Sequence, residues 1–141
     1  MFSKILVPLD GSENSFRALD HAIVLAKTLR ASLTAIHVVE KPPTVYVESQ
    51  KLLNDLLASY RAESAKILDK CRQVASKSGV NIETVIAEGD PASSITGYAQ
   101  KEGFDLIIIG SRGLGRFKEM LLGSVSNKVL HHTKCSVLIV K

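Results

Sequence analysis

The chain has 141 residues and a net charge of +4, which is the size of one domain, 1–141, able to bury a core without disulfide or metal staples. Apolar residues make up 45% and charged residues 23%, a balance that excludes a disordered or collagen-like chain. Residues 1–100 hold 11 Lys/Arg against 11 Asp/Glu, and residues 101–141 hold 7 against 3, so the whole excess of +4 falls after residue 100. A broad basic coat for nucleic acid is thereby disfavoured, and a local demand for positive charge near an anionic ligand is suggested instead. The longest apolar runs, such as Leu106 to Ile109 and Val137 to Val140, fall far short of the roughly 20 residues of a membrane span. Met1-Phe2-Ser3-Lys4 leads into a short apolar run stopped by Asp10, which does not read as a signal peptide. Cys71 and Cys135 have no paired spacing, so free thiols and a reducing cytoplasm are expected.

Lys4 to Leu9 is a short, continuously apolar run ending at Asp10-Gly11-Ser12, as expected for a strand buried on both faces of a parallel sheet. Ser15 to Arg30 places Ala18, Ala22, Leu25 and Leu29 at helical spacing, with Ser12 or Asn14 as the cap. Ser32 to Val39 is a second strand, broken by Lys41-Pro42-Pro43. A long helix is predicted from about Glu48 to Ser78, with Leu53, Leu56, Leu57, Tyr60, Ile67, Cys71 and Val74 along one stripe and Gly79 as its stop. Val80 to Glu88 alternates and reads as an edge strand. Asp90-Pro91 starts a third helix that ends at Gly103. Asp105 to Ile109 is the most apolar strand, Ser124 caps a fourth helix running to about His132, and Ser136 to Val140 is the last strand.

This alternation predicts an α/β fold with a doubly wound five-stranded parallel sheet and helices on both faces, in the order 3-2-1-4-5 if strands one to three wind one way and strand four returns beside strand one. Ligands of such sheets bind at the carboxyl ends of the strands where the winding reverses. Here that crevice lies between Asp10-Gly11-Ser12 and the loop from Gly110 to Gly123. The loop carries Gly110, Gly113, Gly115 and Gly123, which permit close approach and positive φ, and a helix start that favours a phosphate. It also carries Arg112, Arg116 and Lys118, opposed by Glu119.

Two familiar phosphate motifs fail in detail. Gly110 and Gly115 have Walker spacing, but Arg116 and Phe117 replace the Lys and the magnesium-binding hydroxyl. Lys118 stands where the dinucleotide fingerprint needs its third glycine. Isolated His21 and His37 read as satisfied structural residues, and His131 and His132 suit the negative end of their helix.

The spacing of Gly110, Gly113, Gly123 and Ser124 resembles the ATP-binding signature of the universal stress protein family. Lys4 to Ser12, Gly123 to Leu130 and Cys135 to Val140 are similar to that family's opening and closing segments, in the same order along essentially the whole chain. The resemblance implies an adenine nucleotide (ATP, or AMP or ADP, with Mg or Mn) in the crevice. By carry-over, Gly110, Ser111, Arg112, Gly113, Gly115, Arg116, Gly123, Ser124 and Val125 meet phosphates and ribose. Asp10, beside Pro8 and Leu9, accepts from ribose hydroxyls or orients the metal, and the backbone at Val38 and Val39 meets adenine. It also implies a homodimer through Ser136–Val140. Residues 136–140 are apolar and would otherwise be an aggregation hazard at a sheet edge. The expected function is that of a regulatory ATP-binding module. A slow ATPase or autophosphorylating protein, with Asp10 as its one plausible base, is an alternative. So is a dimeric interaction protein without nucleotide. A nucleotidyl-transfer enzyme of related fold fits less well, because Asp10-Gly11-Ser12 lacks that class's serine- and glycine-rich loop.

Overall fold

A computed structural model describes residues 1–40, 49–113 and 122–141. In chain order they form β1 (Lys4–Pro8), α1 (Glu13–Leu29), β2 (Ser32–Val39), α2 (Gln50–Lys77), β3 (Glu83–Glu88), α3 (Pro91–Glu102), β4 (Leu106–Gly110), α4 (Ser124–His132) and β5 (Ser136–Val140). All strand pairs are parallel, and the sheet runs β3-β2-β1-β4-β5. The residues fit this order: β1 beyond Lys4 and β4 are continuously buried and lie inside, whereas β3 alternates and lies at an edge. On one face α1 and α2 pack over Ile5, Val7, Leu33, Ala35 and Ile108. On the other, α3 and α4 cover Leu6, Ile36, Ile107 and Ile109.

The termini of the helices explain how the chain re-enters the sheet. Ser12, not Asn14, caps α1, its Oγ accepting the Ser15 N–H at 3.1 Å. Ser49 caps α2 by accepting from Leu52 N–H, and Asp90 caps α3 by accepting from Ser93 N–H with Pro91 behind it. At the other end of α2, Gly79 takes a φ of +71°. Its N–H donates to the Ser76 carbonyl, and the Val80 N–H reaches back to the Ala75 carbonyl. This double closure satisfies the last carbonyls of the helix. It also corrects the expected start of the third strand: Val80 serves the helix end, and pairing with β2 begins only at Glu83. The stripe on α2 is likewise uneven. Leu53, Leu56, Leu57 and Tyr60 are only half-buried, and the fully packed part begins at Ser64 and continues through Ile67, Leu68, Cys71 and Ala75. The expected residue Glu48 lies outside the described residues.

Cys71 is wholly enclosed between α2 and the sheet, and burial pushes its thiol up to about 11, only partly countered by Arg72. A thiol reacts as thiolate, so Cys71 is expected to stay unmodified by iodoacetamide at pH 8 in the native protein and to react on unfolding. Mass spectrometry of the labelled peptides checks this, with half-buried Cys135 as the internal comparison.

Candidate functional site

The carboxyl ends of β1 and β4 meet at the reversal of winding. Beyond β1 come buried Leu9 and half-buried Asp10, after which Gly11 turns the chain at a φ of +91°. Asp10 Oδ1 accepts the Ser12 N–H at 2.9 Å. The Oδ2 atom lies directly under Gly113, where a Cβ would overlap it. The two loops named by the sequence are thus brought into contact, and Gly113 is glycine because the Asp10 carboxylate occupies its side-chain space.

The start of the second loop is held by one residue the sequence reading treated only as a possible cap. Asn14 is buried in the first turn of α1. Its Oδ1 accepts the Arg112 N–H at 2.7 Å, and its Nδ2 donates to the Val140 carbonyl at 3.2 Å. The same carbonyl accepts the Ser111 N–H at 2.7 Å. Gly110 lies so close to Asn14 that a Cβ would overlap Oδ1. A signal for this role was present: Asn14 is the polar member of the buried i, i+4, i+8 row Asn14, Ala18, Ala22, and a buried amide demands partners.

The far end of the loop closes onto its beginning. The Ser111 carbonyl accepts both the Gly123 N–H at 2.6 Å and the Ser126 hydroxyl at 2.9 Å. Gly123, rather than Ser124, is the N-cap of α4, and Ser124 is its first helical residue. Having no side chain, Gly123 gives α4 no side-chain cap, in contrast to α1, α2 and α3. The first intrahelical bond is from Asn127 N–H to the Gly123 carbonyl. The amides of Ser124 and Val125 are therefore of the class that a helix leaves for an outside acceptor.

One expectation about the glycines is corrected. Gly110, Gly113 and Gly123 are not among the residues with positive φ. Asn14 and Asp10 fill the side-chain space of the first two, whereas the nearest atoms to a Cβ on Gly123 are at an ordinary 3.4 Å. Nothing inside the described protein requires glycine at 123.

Val38 and Val39 stand at the end of β2. The Ile36 carbonyl accepts from Leu9 N–H, and the Val39 carbonyl from Gly89 N–H. By the alternation of a parallel ladder, the peptide groups of Val38 turn towards β1, past Pro8, the last β1 residue in register. His37 Nδ1 hydrogen-bonds the Leu9 carbonyl at 2.8 Å, so it supports this rim. His21 and His132 hydrogen-bond carbonyls one turn back, those of Arg17 and Lys128. Arg112 is exposed, and Gly115, Arg116 and Lys118 lie outside the described residues. Among the described residues no three His, Cys, Asp or Glu side chains gather to hold a metal ion, and no helix is long and apolar enough to cross a membrane.

Residues 1–141 match the model of the universal stress protein family. The chain is 40% identical to universal stress protein YxiE of Bacillus subtilis over the full length of both, and 38% identical to universal stress protein MJ0531 of Methanocaldococcus jannaschii over all of this chain and 83% of that one. Among solved structures, universal stress protein UspA from Lactobacillus plantarum superposes with a TM-score of 0.87 at 28% identity, covering 99% of this chain and 98% of that one. A universal stress protein in complex with cAMP superposes with a TM-score of 0.76 at 27% identity, covering 99% and 96%.

Asn14→Ala leaves the Arg112 amide and a share of the Val140 carbonyl without their partner. The expected cost is about 1–3 kcal/mol, a fall of roughly 3–10 °C in Tm for a chain of this size. Thermal unfolding followed by circular dichroism checks it, and an unchanged Tm contradicts the clamping role.

Proposed function

The chain belongs to the universal stress protein family, and we propose that it binds an adenine nucleotide, ATP with ADP and AMP as shorter forms, as a homodimeric regulatory module of the cytoplasm. The observation that carries this reading is the start of α4. Its first-turn amides have no side-chain cap, and Gly123 abuts Ser111 through its N–H. A helix start of this kind receives a phosphate through its N–H groups and its dipole. A relative of similar fold carries cAMP, which supports an adenine ligand here.

In this reading the amides of Gly113, Ser124 and Val125 receive the first phosphate, and Arg112 adds charge. Asp10 accepts from the ribose hydroxyls, and the outward-turned peptide of Val38 meets the adenine edge beside Pro8 and Leu9. A Mg or Mn ion arriving with the nucleotide needs only one or two carboxylates besides the phosphates, and Asp10 supplies one. The dimer forms through β5, an edge strand on which Leu138 is 36% exposed. A second copy pairing there would cover the edge that an isolated chain leaves open.

Two experiments test this. Mg-ATP at about 100 times its dissociation constant adds about 2.7 kcal/mol, so the ligand-free protein should gain roughly 5–10 °C. Gly123→Ser supplies the missing cap. It is expected to stabilise the ligand-free protein by about 0.3–0.5 kcal/mol, while weakening ATP by occupying the amides that the phosphate needs. Loss of ATP affinity without loss of stability supports the site; no shift with ATP, AMP or ADP overturns it. For the dimer, Leu138→Lys is expected to convert a dimer to a monomer in light scattering, and a variant that stays dimeric places the interface elsewhere.

A further inference from the structure

Beside the crevice, towards α1 and β5, a cavity of about 390 Å³ is lined by Asn14, Arg17, Ser111, Arg112 and Lys141. That volume falls within the range of roughly 300–1,000 Å³ typical of small-ligand clefts. Three of the five lining residues are cationic, and they come from separate parts of the chain: Arg17 from α1, Arg112 from the loop after β4, and Lys141 from just beyond β5. The two neutral residues are already engaged. The Asn14 amide is committed at both ends, to Arg112 N–H and the Val140 carbonyl, and the Ser111 backbone is held by Val140, Gly123 and Ser126. What the cavity offers a ligand, besides the Ser111 hydroxyl, is therefore two guanidinium groups and an ammonium.

Three other cations of the described residues have evident partners. Arg72 pairs with Asp69 at 2.8 Å, Lys4 lies over Phe104, and Lys70 lies over Phe16. Among the described residues, no Asp or Glu side chain lines the Arg17–Arg112–Lys141 cavity. Converging like charges repel unless an anion joins them. Guanidinium groups in addition match the paired oxygens of a phosphate. Arg112 belongs both to this cavity and to the loop that leads to α4, so the cavity borders the loop proposed to meet the nucleotide.

We infer that the Arg17–Arg112–Lys141 cavity receives the phosphates beyond the first of a bound nucleotide, so that Arg17 and Lys141 set a preference of this chain for ATP over AMP. The inference rests on the nucleotide reading above and adds residues that lie outside the glycine-spaced signature. It assigns linked phosphates as the ligand chemistry, and two sources could supply them: the nucleotide itself or a free inorganic polyphosphate.

The test uses the full chain and its Arg17→Gln, Lys141→Gln and doubly substituted forms, titrated by calorimetry with Mg-ATP, AMP and inorganic pyrophosphate. Both side chains are exposed, and an unchanged Tm of the ligand-free variants confirms that folding is intact. The double variant is expected to weaken ATP by about tenfold or more, the loss of charge-assisted bonds, while leaving AMP affinity unchanged. Parallel loss of ATP and AMP, or loss of neither, overturns the inference and leaves the nucleotide reading standing. Loss of pyrophosphate binding with ATP unchanged assigns the cavity to a free anion and also overturns it. A wild-type chain that binds neither ATP nor AMP overturns both readings.

Discussion

The close approach of the first turn of α1 to the end of β4 is the constraint on which the upper rim of the sheet depends. Gly110 has no side chain, so Asn14 can lie against it and reach two neighbours at once: the amide of Arg112 and the carbonyl of Val140. One buried amide thereby links α1 to the loop after β4 and to the end of β5. A side chain on Gly110 or a shorter residue at 14 would break the same junction, because a buried amide without partners costs about 1–3 kcal/mol. The consequence reaches the helix beyond. With Ser111 held from Val140, its carbonyl is placed to accept Gly123 N–H and the Ser126 hydroxyl. That bond fixes where α4 begins.

The positions with glycine in this rim divide by what fills the missing side chain. Asn14 occupies the space at Gly110 and Asp10 the space at Gly113, whereas the surroundings of Gly123 leave ordinary room for a methyl group. A glycine without an internal reason at a helix start is better explained by an outside group that must approach the backbone. The other three helix starts behave differently. Helices α1, α2 and α3 each begin with a side-chain cap, as elements do when stability alone decides the residue. The contrast separates residues that hold the fold from a residue whose identity makes sense with a ligand.

Much of this was legible in the sequence, and the parts that were not have physical causes. The doubly wound parallel sheet followed from the alternation of strands and helices, and continuous apolar runs at β1 and β4 against the alternation of β3 told inner strands from an edge, since burial on two faces and on one leave different patterns. The start of β3 was misjudged because Val80 and Ile82 are apolar for a different reason: they pack against the core while Val80 N–H closes α2. Ser124 looked like a cap because serine favours that position, yet the structure starts the helix one residue earlier and leaves the cap to glycine. The positions of Asp10, Gly110 and Gly113 came from motif spacing, but their mutual contact could not, because pairing between Asp10 and Gly113 is a property of the sheet order rather than of either segment.

The uneven charge gains a sharper meaning from the fold. Along the chain the basic excess lies after residue 100, with Arg112, Arg116 and Lys118 between Gly110 and Gly123. The structure gathers charge by proximity instead, drawing Arg17 from the electrically balanced first part of the chain to Arg112 and Lys141. Backbone amides at α4 and side-chain cations at this cavity then do different work. Amides sit at fixed positions and orient a single phosphate, and their effect falls off within the first turn of the helix. Guanidinium and ammonium groups on long side chains act over a larger volume and respond to total ligand charge. A ligand with one phosphate needs only the first set. In the proposed reading a ligand with several gains from the second as well, which makes the number of phosphates, rather than the base or the sugar, the feature that the basic side of this rim would distinguish.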